Sequence, residues 1–413
     1  MAGVMRRRWV AALLAGLWGV AACGQRAQDV QSEAELNQAV ERMMPAVERA
    51  TGLTFRRRAA VLRRSRAQVR DYVVHKFDGD LPPAELAGAQ AAYRLFGLIP
   101  DSLDLRRTMI DLLTEQVAGY FDPDSDALYL PSDIDPSQAR LVISHELVHA
   151  LQDQYVNLDS LVELKRHNDR RTAAQSILEG QATLAQILVL MPEQKLESLP
   201  NLLDLRNAIG AEQGPAAEQG QMKVFASAPL WLRQSLIFPY LGGAEFVRWF
   251  EQTYPGKQPY GPLMPVSTAQ ILHPARYAAG RKPRTLVFVP PASDRVRYED
   301  DLGEFEIRLL FEQHLGDDSA AARLANGWDG DRYQVLGAHS DALVWYTVWD
   351  DRVAAERFLK GLERAWAKRR AAEPPGRRAE LRPLKVGGRF VVRLVDAPTR
   401  WRGWRHLPRV RVE

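Results

Sequence analysis

One stretch of ten residues, Val142 to Leu151, constrains the fold of this chain more than any other. It places His145 and His149 four residues apart, with Glu146 directly after the first histidine. On an α-helix, residues four apart lie one turn apart on the same face, so both imidazoles can bind a single metal ion. Glu146 lies about 100° further round the helix. From there its carboxylate can take a proton from water at the metal without being a ligand itself.

The residues around this motif are uncharged, which predicts a buried helix. They are Val142, Ile143, Leu147, Val148, Ala150 and Leu151. Two buried neutral imidazoles with an open coordination position beside them are typical of a zinc site. The alternative is a helix with two surface histidines and a charged neighbour, because the pattern His-Glu-x-x-His also occurs by chance.

A third metal ligand is expected downstream of the two histidines, since a catalytic zinc ion usually has three protein ligands. The candidates are Glu163, His167, Asp169 and Glu179. Glu163 and His167 lie in a polar stretch that is typical of a surface loop. Glu179 lies in a predicted apolar helix, Thr172 to Leu190, where an unpaired buried carboxylate is unfavourable and a metal ion would remove that cost. Alternatively, Glu179 is an ordinary buried residue paired with an arginine.

Together these motifs resemble the gluzincins, the thermolysin-like clan of zinc peptidases in which His-Glu-x-x-His is followed by a glutamate on the next helix. His149 and Glu179 are 30 residues apart, which lies within the range of that clan. By this resemblance His145, His149 and Glu179 bind Zn²⁺ and Glu146 is the general base. The implied activity is hydrolysis of peptide bonds in a peptide or protein substrate.

Several segments more closely resemble bacterial lipoprotein-type zinc peptidases, and the resemblance covers roughly residues 30–280. They are Ala118–Pro123, His145–Gln154, Glu179–Thr183 and Gln270–Pro274. One residue departs from the gluzincin pattern. Many gluzincins have an aspartate one turn after the ligand glutamate, where this chain has Thr183. Since such a residue orients a metal-binding imidazole, the sequence leaves that orienting partner unidentified.

A β-hairpin is predicted just before the metal-binding helix. Its apolar runs, Val117–Phe121 and Ala127–Leu130, flank an aspartate-rich turn. In zinc peptidases a strand at this place binds the substrate backbone, so we expect Gly119 and Tyr120 to contact the substrate. The aspartates of the turn, Asp122 to Asp126, are expected to be solvated, with a calcium loop as the alternative.

His273 is the candidate for stabilising the oxyanion of a tetrahedral intermediate, and Tyr277 is the second candidate. Ser267 and Gln270 predict a capping box that places both residues near the end of a short helix. The alternative is that His273 caps its own helix.

Residues 1–23 predict a signal peptide of the bacterial lipoprotein type. A basic start and a short apolar run precede small residues and Cys23, the only cysteine of the chain. We expect cleavage before Cys23 and lipidation of the new N-terminus, with residues 24–31 as a tether to the membrane. An ordinary secretory signal is the alternative. Gly24 favours an outer-membrane protein that faces the periplasm if the source is Gram-negative.

The charge of the chain gives no indication of nucleic-acid binding, because 55 basic residues are nearly balanced by 51 acidic ones. The basic stretch Arg56–Arg70 alternates with apolar residues and is expected to be a solvated face, with weak attraction to anionic envelope polymers as the alternative. The lone cysteine excludes an internal disulfide. A non-catalytic envelope lipoprotein that binds a protein or cell-wall partner is the alternative function.

The predicted fold is α+β, in two regions. Residues 32–280 are expected to form a mainly helical, zincin-like catalytic domain with a short β-hairpin. Residues 281–413 alternate helices and strands and are expected to form a smaller α+β domain with helices on one face of its sheet. We expect its tryptophans to belong to the core rather than to a ligand platform. They are Trp328, Trp345 and Trp349.

Two features are predicted in the middle of the chain. Residues Ala211–Gln221 are rich in Ala, Glu, Gln and Gly, which predicts a mobile connection that can act as a lid. The apolar runs on either side of Gly242 predict two separate helices, Leu230–Tyr240 and Gly243–Tyr254.

Overall fold

The computed structural model describes residues 32–157, 166–204, 222–289, 295–337, 341–371 and 375–413. The predicted signal peptide with Cys23, the tether at 24–31, the candidate ligand Glu163 and the connection Ala211–Gln221 lie outside these residues. Within the described ranges, no helix is both long enough and apolar enough to cross a bilayer.

The first two thirds of the described chain are mainly helical. In order, the elements are α1 (Glu33–Thr51), β1 (Ala60–Arg64), α2 (Arg66–Asp80), α3 (Pro83–Phe96), α4 (Leu105–Gln116), β2 (Tyr120–Asp122), β3 (Ala127–Pro131), α5 (Pro136–Gln152), α6 (Asn168–Leu190), α7 (Lys223–Ser227), α8 (Leu230–Thr253), α9 (Thr268–Leu272) and α10 (Pro274–Ala278). Short 3₁₀ turns lie at Leu196–Ser198, Leu202–Asp204 and Gly261–Leu263.

The last third is richer in strands. Its elements are β4 (Leu286–Val289), β5 (Val296–Asp300), α11 (Gly303–Leu315), α12 (Asp318–Ala325), β6 (Trp328–Leu336), β7 (Ala342–Trp349), α13 (Arg352–Ala371), β8 (Arg377–Val386), β9 (Arg389–Pro398), a 3₁₀ turn at Arg402–Arg405, and β10 (Arg409–Val412). The predicted α+β class is therefore confirmed.

Local signals in the sequence explain where several helices begin. Ser32 and Ser65 each form a capping box at the start of α1 and α2, as their spacing to Glu35 and Gln68 predicts. Helix α5, which carries the His-Glu-x-x-His motif, begins after the N-cap Asp135, whose side chain accepts a hydrogen bond from the backbone of its first turn. The sequence pattern at each of these three positions thus predicts the observed helix start.

A three-stranded sheet lies beside α5, in the order β1-β3-β2. β2 and β3 form the predicted antiparallel hairpin, and β1 runs parallel to β3. Side chains cover the backbone of both outer strands. On β1, Asn37 accepts a hydrogen bond from the Val61 N–H (3.0 Å) and donates one to the Val61 carbonyl (3.1 Å). On β2, the Phe121 N–H donates to Glu146 Oε2 (2.9 Å).

The predicted break at Gly242 is wrong, because α8 runs without interruption from Leu230 to Thr253. The glycines instead allow α8 and α6 to cross at a short distance. A Cβ on Gly243 would overlap the carbonyl of Ser176, and a Cβ on Gly180 would overlap the backbone of Gly243. The two helices therefore touch backbone to backbone beside Glu179.

The C-terminal region contains a five-stranded antiparallel sheet in the order β5-β6-β7-β9-β8. Helices α11 and α13 pack on one face, where Phe358 contacts Trp345 and Trp349. All three tryptophans of the prediction are buried, as expected for core residues. The other face carries a second apolar cluster that includes residues of β4 and β10. Helices therefore pack on one face of the sheet, as predicted, and the second cluster covers the other face.

The helical and C-terminal regions share one hydrophobic cluster, which extends from Val69 in α2 to Leu394 in β9. Phe238 of α8 stacks on Phe305 of α11, with ring centroids 3.9 Å apart. Burial of such large side chains is the main source of stability in a chain without disulfides. The two regions thus depend on each other for part of their core.

We expect Gly243→Ala to lower the free energy of unfolding by about 1 to 3 kcal/mol, because the added Cβ would overlap the Ser176 carbonyl. Urea unfolding followed by circular dichroism measures the change. The matched control is Gly79→Ala on α2, where a Cβ meets no atom within 4 Å. That control should be neutral or stabilising by up to about 1 kcal/mol, since alanine favours a helix. Equal effects of the two substitutions would contradict the close crossing.

Candidate metal centre

Two neighbouring helices bring together the residues that the sequence predicts at the metal site. His145, Glu146 and His149 lie on α5, and Glu179 lies on α6. All four residues are almost completely inaccessible, with 0 or 1% of their surface exposed. The apolar flanks of the motif therefore produce a buried helix, and the alternative of two surface histidines is wrong.

Three potential ligand atoms converge on one point. The Nε2 atoms of His145 and His149 lie 3.2 Å apart, and they lie 3.3 and 3.4 Å from Glu179 Oε2. In a tetrahedral zinc site with bonds of about 2.0 to 2.1 Å, ligand atoms lie about 3.3 Å from one another. The observed triangle thus has the size that a zinc ion requires. Across the described ranges, these residues are the one group of three that can hold a metal ion.

The charges in this group balance one another. Burial disfavours the charged form of His149, but the negative charge of Glu179 outweighs it and raises the pKa of His149 to about 9. Burial also acts to raise the pKa of Glu179, but the positive charge of His149 outweighs it and lowers that pKa to about 2. Burial lowers the pKa of His145. The site therefore holds an ionised carboxylate opposite a positive charge, which a metal cation can supply in place of the proton.

Glu146 is held next to this group by the sheet. Its Oε2 accepts the hydrogen bond from the Phe121 N–H (2.9 Å), and its Oε1 is buried with no hydrogen-bond partner among the described residues. Burial raises the pKa of Glu146 to about 8. One carboxylate oxygen is thus anchored, and the other is available for proton transfer.

Gln152 orients the second histidine, a role that the sequence left unassigned. Its Oε1 accepts a hydrogen bond from His149 Nδ1 (2.8 Å), which leaves the lone pair of Nε2 on the side of the site. Its Nε2 in turn donates to the Leu178 carbonyl (3.0 Å) and to Gln181 Oε1 (3.1 Å). Gln152 therefore fixes the orientation of the His149 ring. Its position three residues after His149 is the sequence signal that indicates it.

Tyr240 is a second residue that sequence reasoning missed. Its ring lies against the imidazole of His145, with centroids 5.9 Å apart and an angle of 21° between the planes. The helix was predicted to end at this residue, whereas α8 continues and carries Tyr240 to the site. No local pattern in the sequence indicates this contact.

The two predicted substrate-binding residues of the hairpin are packed against the protein itself. A Cβ on Gly119 would overlap Val142, so this glycine allows the strand to lie close to α5. The ring of Tyr120 is buried and stacks on Tyr72, with centroids 3.9 Å apart. Contact of either residue with a substrate stays a prediction.

The two candidates for oxyanion stabilisation have partners elsewhere. His273 Nε2 lies 2.6 Å from Glu304 Oε1, and the Tyr277 hydroxyl donates to the Leu263 carbonyl (2.6 Å). Neither belongs to the group of ligand atoms that lie within 4.8 Å of one another. The structure therefore does not bring them into the metal centre, and their catalytic role stays a prediction.

The other two described candidates for the third ligand also have partners outside the site. His167 Nδ1 lies 3.7 Å from Asp301 Oδ2. Asp169 accepts hydrogen bonds from the backbone N–H and the hydroxyl of Thr268. Glu179 is therefore the candidate that the structure places beside the two histidines.

A cavity of about 320 Å³ reaches the metal centre. Glu179 and Tyr240 lie on its wall, together with apolar side chains of α4 and α8. The centre is therefore buried within the protein but adjoins a space that is large enough for part of a ligand.

Comparison with known proteins identifies one matching family. The sequence model of a family described as "Domain of unknown function (DUF8575)" matches residues 294–400. This match covers the five-stranded sheet with its helices and leaves the metal centre outside it. No curated protein and no solved structure matches the chain significantly.

We expect Gln152→Ala to weaken zinc binding by about 10- to 100-fold, because His149 loses the acceptor that fixes its orientation. Competition with a chromophoric zinc chelator measures the affinity. Gln154→Ala is the matched control, since Gln154 is also buried but binds the backbone N–H groups of Arg56 and Arg57. The control should lower stability and leave zinc affinity unchanged. A similar loss of affinity in both variants would contradict the orienting role.

Proposed function

We propose that this protein is a zinc-dependent metallopeptidase with a zincin-like catalytic domain of the gluzincin type. The observation that carries the proposal is the convergence of His145, His149 and Glu179 at the distances of a tetrahedral site, with Glu146 beside them. Its substrate is a peptide or protein. The lipoprotein-type start of the sequence supports an exported enzyme that is anchored to the cell envelope through Cys23.

The number of ligands supports a catalytic rather than a structural metal. Structural zinc sites have four protein ligands, whereas catalytic sites have three and keep one position open. In the part of the chain that the structure describes, the group contains three ligand residues. A carboxylate with a free oxygen beside the open position is what hydrolysis requires.

Different residues of the chain would have different roles in the reaction. A bound zinc ion would act as a Lewis acid on the scissile carbonyl and lower the pKa of water. The positive charge of a bound metal would favour the ionised form of Glu146, which accepts the proton of the attacking water on its free oxygen and passes it to the leaving amine. The Phe121 N–H holds the other oxygen of Glu146 in place, and Gln152 fixes the ring of His149. These contacts position the reacting groups before a substrate binds.

The alternative is a non-catalytic envelope lipoprotein that uses the same fold to bind a partner. The two functions differ in what they require of Glu146. A binding protein needs that residue for packing at most, whereas the peptidase needs its ionisable carboxylate.

We expect Glu146→Gln to keep stoichiometric zinc and to lower peptide hydrolysis by about 100-fold or more, because an amide cannot take the proton. Elemental analysis measures zinc per chain, and mass spectrometry of a proteome-derived peptide mixture detects new termini. Glu41→Gln is the control, since Glu41 is exposed and pairs with Arg58 far from the centre. Wild-type protein that holds zinc but generates no new termini would favour the binding protein.

We expect Glu179→Gln to lower zinc affinity by more than Gln152→Ala does, that is by more than about 100-fold. Glutamine keeps the size of the side chain but removes the negative charge that attracts the metal ion. The same chelator competition measures the effect, and circular dichroism verifies that the variant is folded. Full retention of zinc by a folded Glu179→Gln variant would eliminate the proposed ligand set.

A further inference from the structure

Three glutamine side chains form a continuous series of hydrogen bonds that ends at His149. His149 Nδ1 donates to Gln152 Oε1 (2.8 Å), and Gln152 Nε2 donates to Gln181 Oε1 (3.1 Å). Gln181 Nε2 donates to Gln258 Oε1 (2.9 Å). Gln258 Nε2 in turn donates to the carbonyl of Thr51, the last residue of α1 (2.8 Å). Gln152, Gln181 and Gln258, here called the glutamine network, therefore connect the end of α1 with the metal centre.

Backbone carbonyls fix the direction of this network at two points. An amide side chain can rotate by 180° and exchange its oxygen with its nitrogen, whereas a carbonyl oxygen can only accept a hydrogen bond. Gln258 faces the Thr51 carbonyl, and Gln152 faces the Leu178 carbonyl (3.0 Å). Each must present its NH₂ group there and its oxygen to the other neighbour. The oxygen of Gln258 therefore faces Gln181, and the oxygen of Gln152 faces His149.

Tyr260 supports the central member of the network. Its hydroxyl donates a hydrogen bond to Gln181 Oε1 and also interacts with Gln152. Gln152 and Gln181 are buried, with 0 and 1% of their surface exposed. Rotation of either amide would leave a buried donor or acceptor without a partner, which is unfavourable. A buried network in which each amide has its partners holds each of them in one orientation.

The orientation of Gln152 decides which nitrogen of His149 can bind a metal ion. As a metal ligand, a histidine is a neutral imidazole with one protonated nitrogen and one lone pair. Because Gln152 presents its oxygen to Nδ1, the proton lies on Nδ1 and the lone pair lies on Nε2. Nε2 is the atom that lies 3.4 Å from Glu179 Oε2 in the metal centre. A reversed Gln152 amide would present NH₂ to Nδ1 and favour a proton on Nε2, where the metal ion binds.

We propose that Gln181, Gln258 and Tyr260 are positioning residues of the metal centre. They hold the Gln152 amide in the direction that makes His149 a ligand through Nε2. The effect of each residue should decrease along the network, because Gln181 acts through one further amide and Gln258 through two. This inference rests on the proposed function, since it concerns the binding of zinc by the proposed ligands.

The main test measures zinc binding by chelator competition, which does not depend on hydrolysis. Gln181→Met keeps the size of the side chain but removes the acceptor of Gln152 Nε2. We expect zinc affinity to fall by about 10-fold, the lower end of the range for residues that orient a metal-binding imidazole. Gln258→Met should lower the affinity by less than Gln181→Met does, because it acts one hydrogen bond further from His149.

Gln270→Met is the matched control. Gln270 is also buried, but it accepts a hydrogen bond from the Val266 N–H (2.7 Å) and donates one to the Arg281 carbonyl (2.8 Å). It therefore has both ends of its amide paired with backbone outside the glutamine network. The control should lower the free energy of unfolding and leave zinc affinity unchanged.

A spectroscopic readout separates positioning of His149 from a general loss of packing. In zinc-loaded protein with ¹⁵N-labelled histidine, we expect the Nδ1 proton of His149 to exchange slowly with water, because it is buried in the hydrogen bond to Gln152. Gln152→Ala identifies this NMR signal, since it removes the acceptor directly. Gln181→Met should accelerate the exchange. Gln181→Glu should keep it slow, because an oxygen acceptor for Gln152 Nε2 remains.

The outcomes separate this inference from the peptidase. Equal zinc affinity and equal proton exchange in wild type and Gln181→Met, or the same losses in Gln270→Met, would overturn the positioning role and leave the peptidase standing. The expected losses in a protein that hydrolyses no peptide would support the network and contradict the peptidase. If Gln181→Met does not fold, the partly exposed Gln258 decides, because unchanged affinity and exchange in Gln258→Met would overturn the role of the network.

Discussion

The carboxylate of Glu179 lies in the interior of the protein against two imidazoles, with essentially no access to water. An ionised group in such a place is strongly unfavourable unless a positive charge and polar partners compensate for it. The surrounding structure supplies that compensation. The two histidines on α5 face Glu179, and the backbone contact between Gly180 and Gly243 fixes the position of α6. The packing of α5, α6 and α8 thus fixes the surroundings of this buried charge.

The sequence predicts the part of this arrangement that depends on local chemistry. Capping boxes at Ser32 and Ser65 and the N-cap Asp135 mark helix starts by hydrogen bonds within one turn, so their residues identify them directly. The positions of His145 and His149 on one helical face follow from their spacing in the same way. Glu179 is identifiable from the sequence because a carboxylate in an apolar helix is costly to bury unless a cation or a metal ion compensates its charge.

The remainder depends on contacts between distant segments, which spacing does not encode. In the sequence, the glycines in the middle of α8 suggest that the helix is interrupted. Only the structure shows that they allow the backbones of α8 and α6 to come into contact. For the same reason the contact between Tyr240 and His145 could not be predicted from the sequence. His273, conversely, has a suggestive position in sequence but pairs with Glu304.

The small sheet next to α5 has a further consequence, which concerns the outer edges of its strands. Unpaired strand edges are templates on which other chains add strands and aggregate. On the outer strand β1, the side-chain amide of Asn37 hydrogen-bonds both the N–H and the carbonyl of Val61, as a neighbouring strand would. On the other outer strand, β2, Glu146 accepts the hydrogen bond of the Phe121 N–H. The carboxylate that we propose for proton transfer therefore also occupies a backbone donor of an outer strand, one to which another strand could otherwise bind.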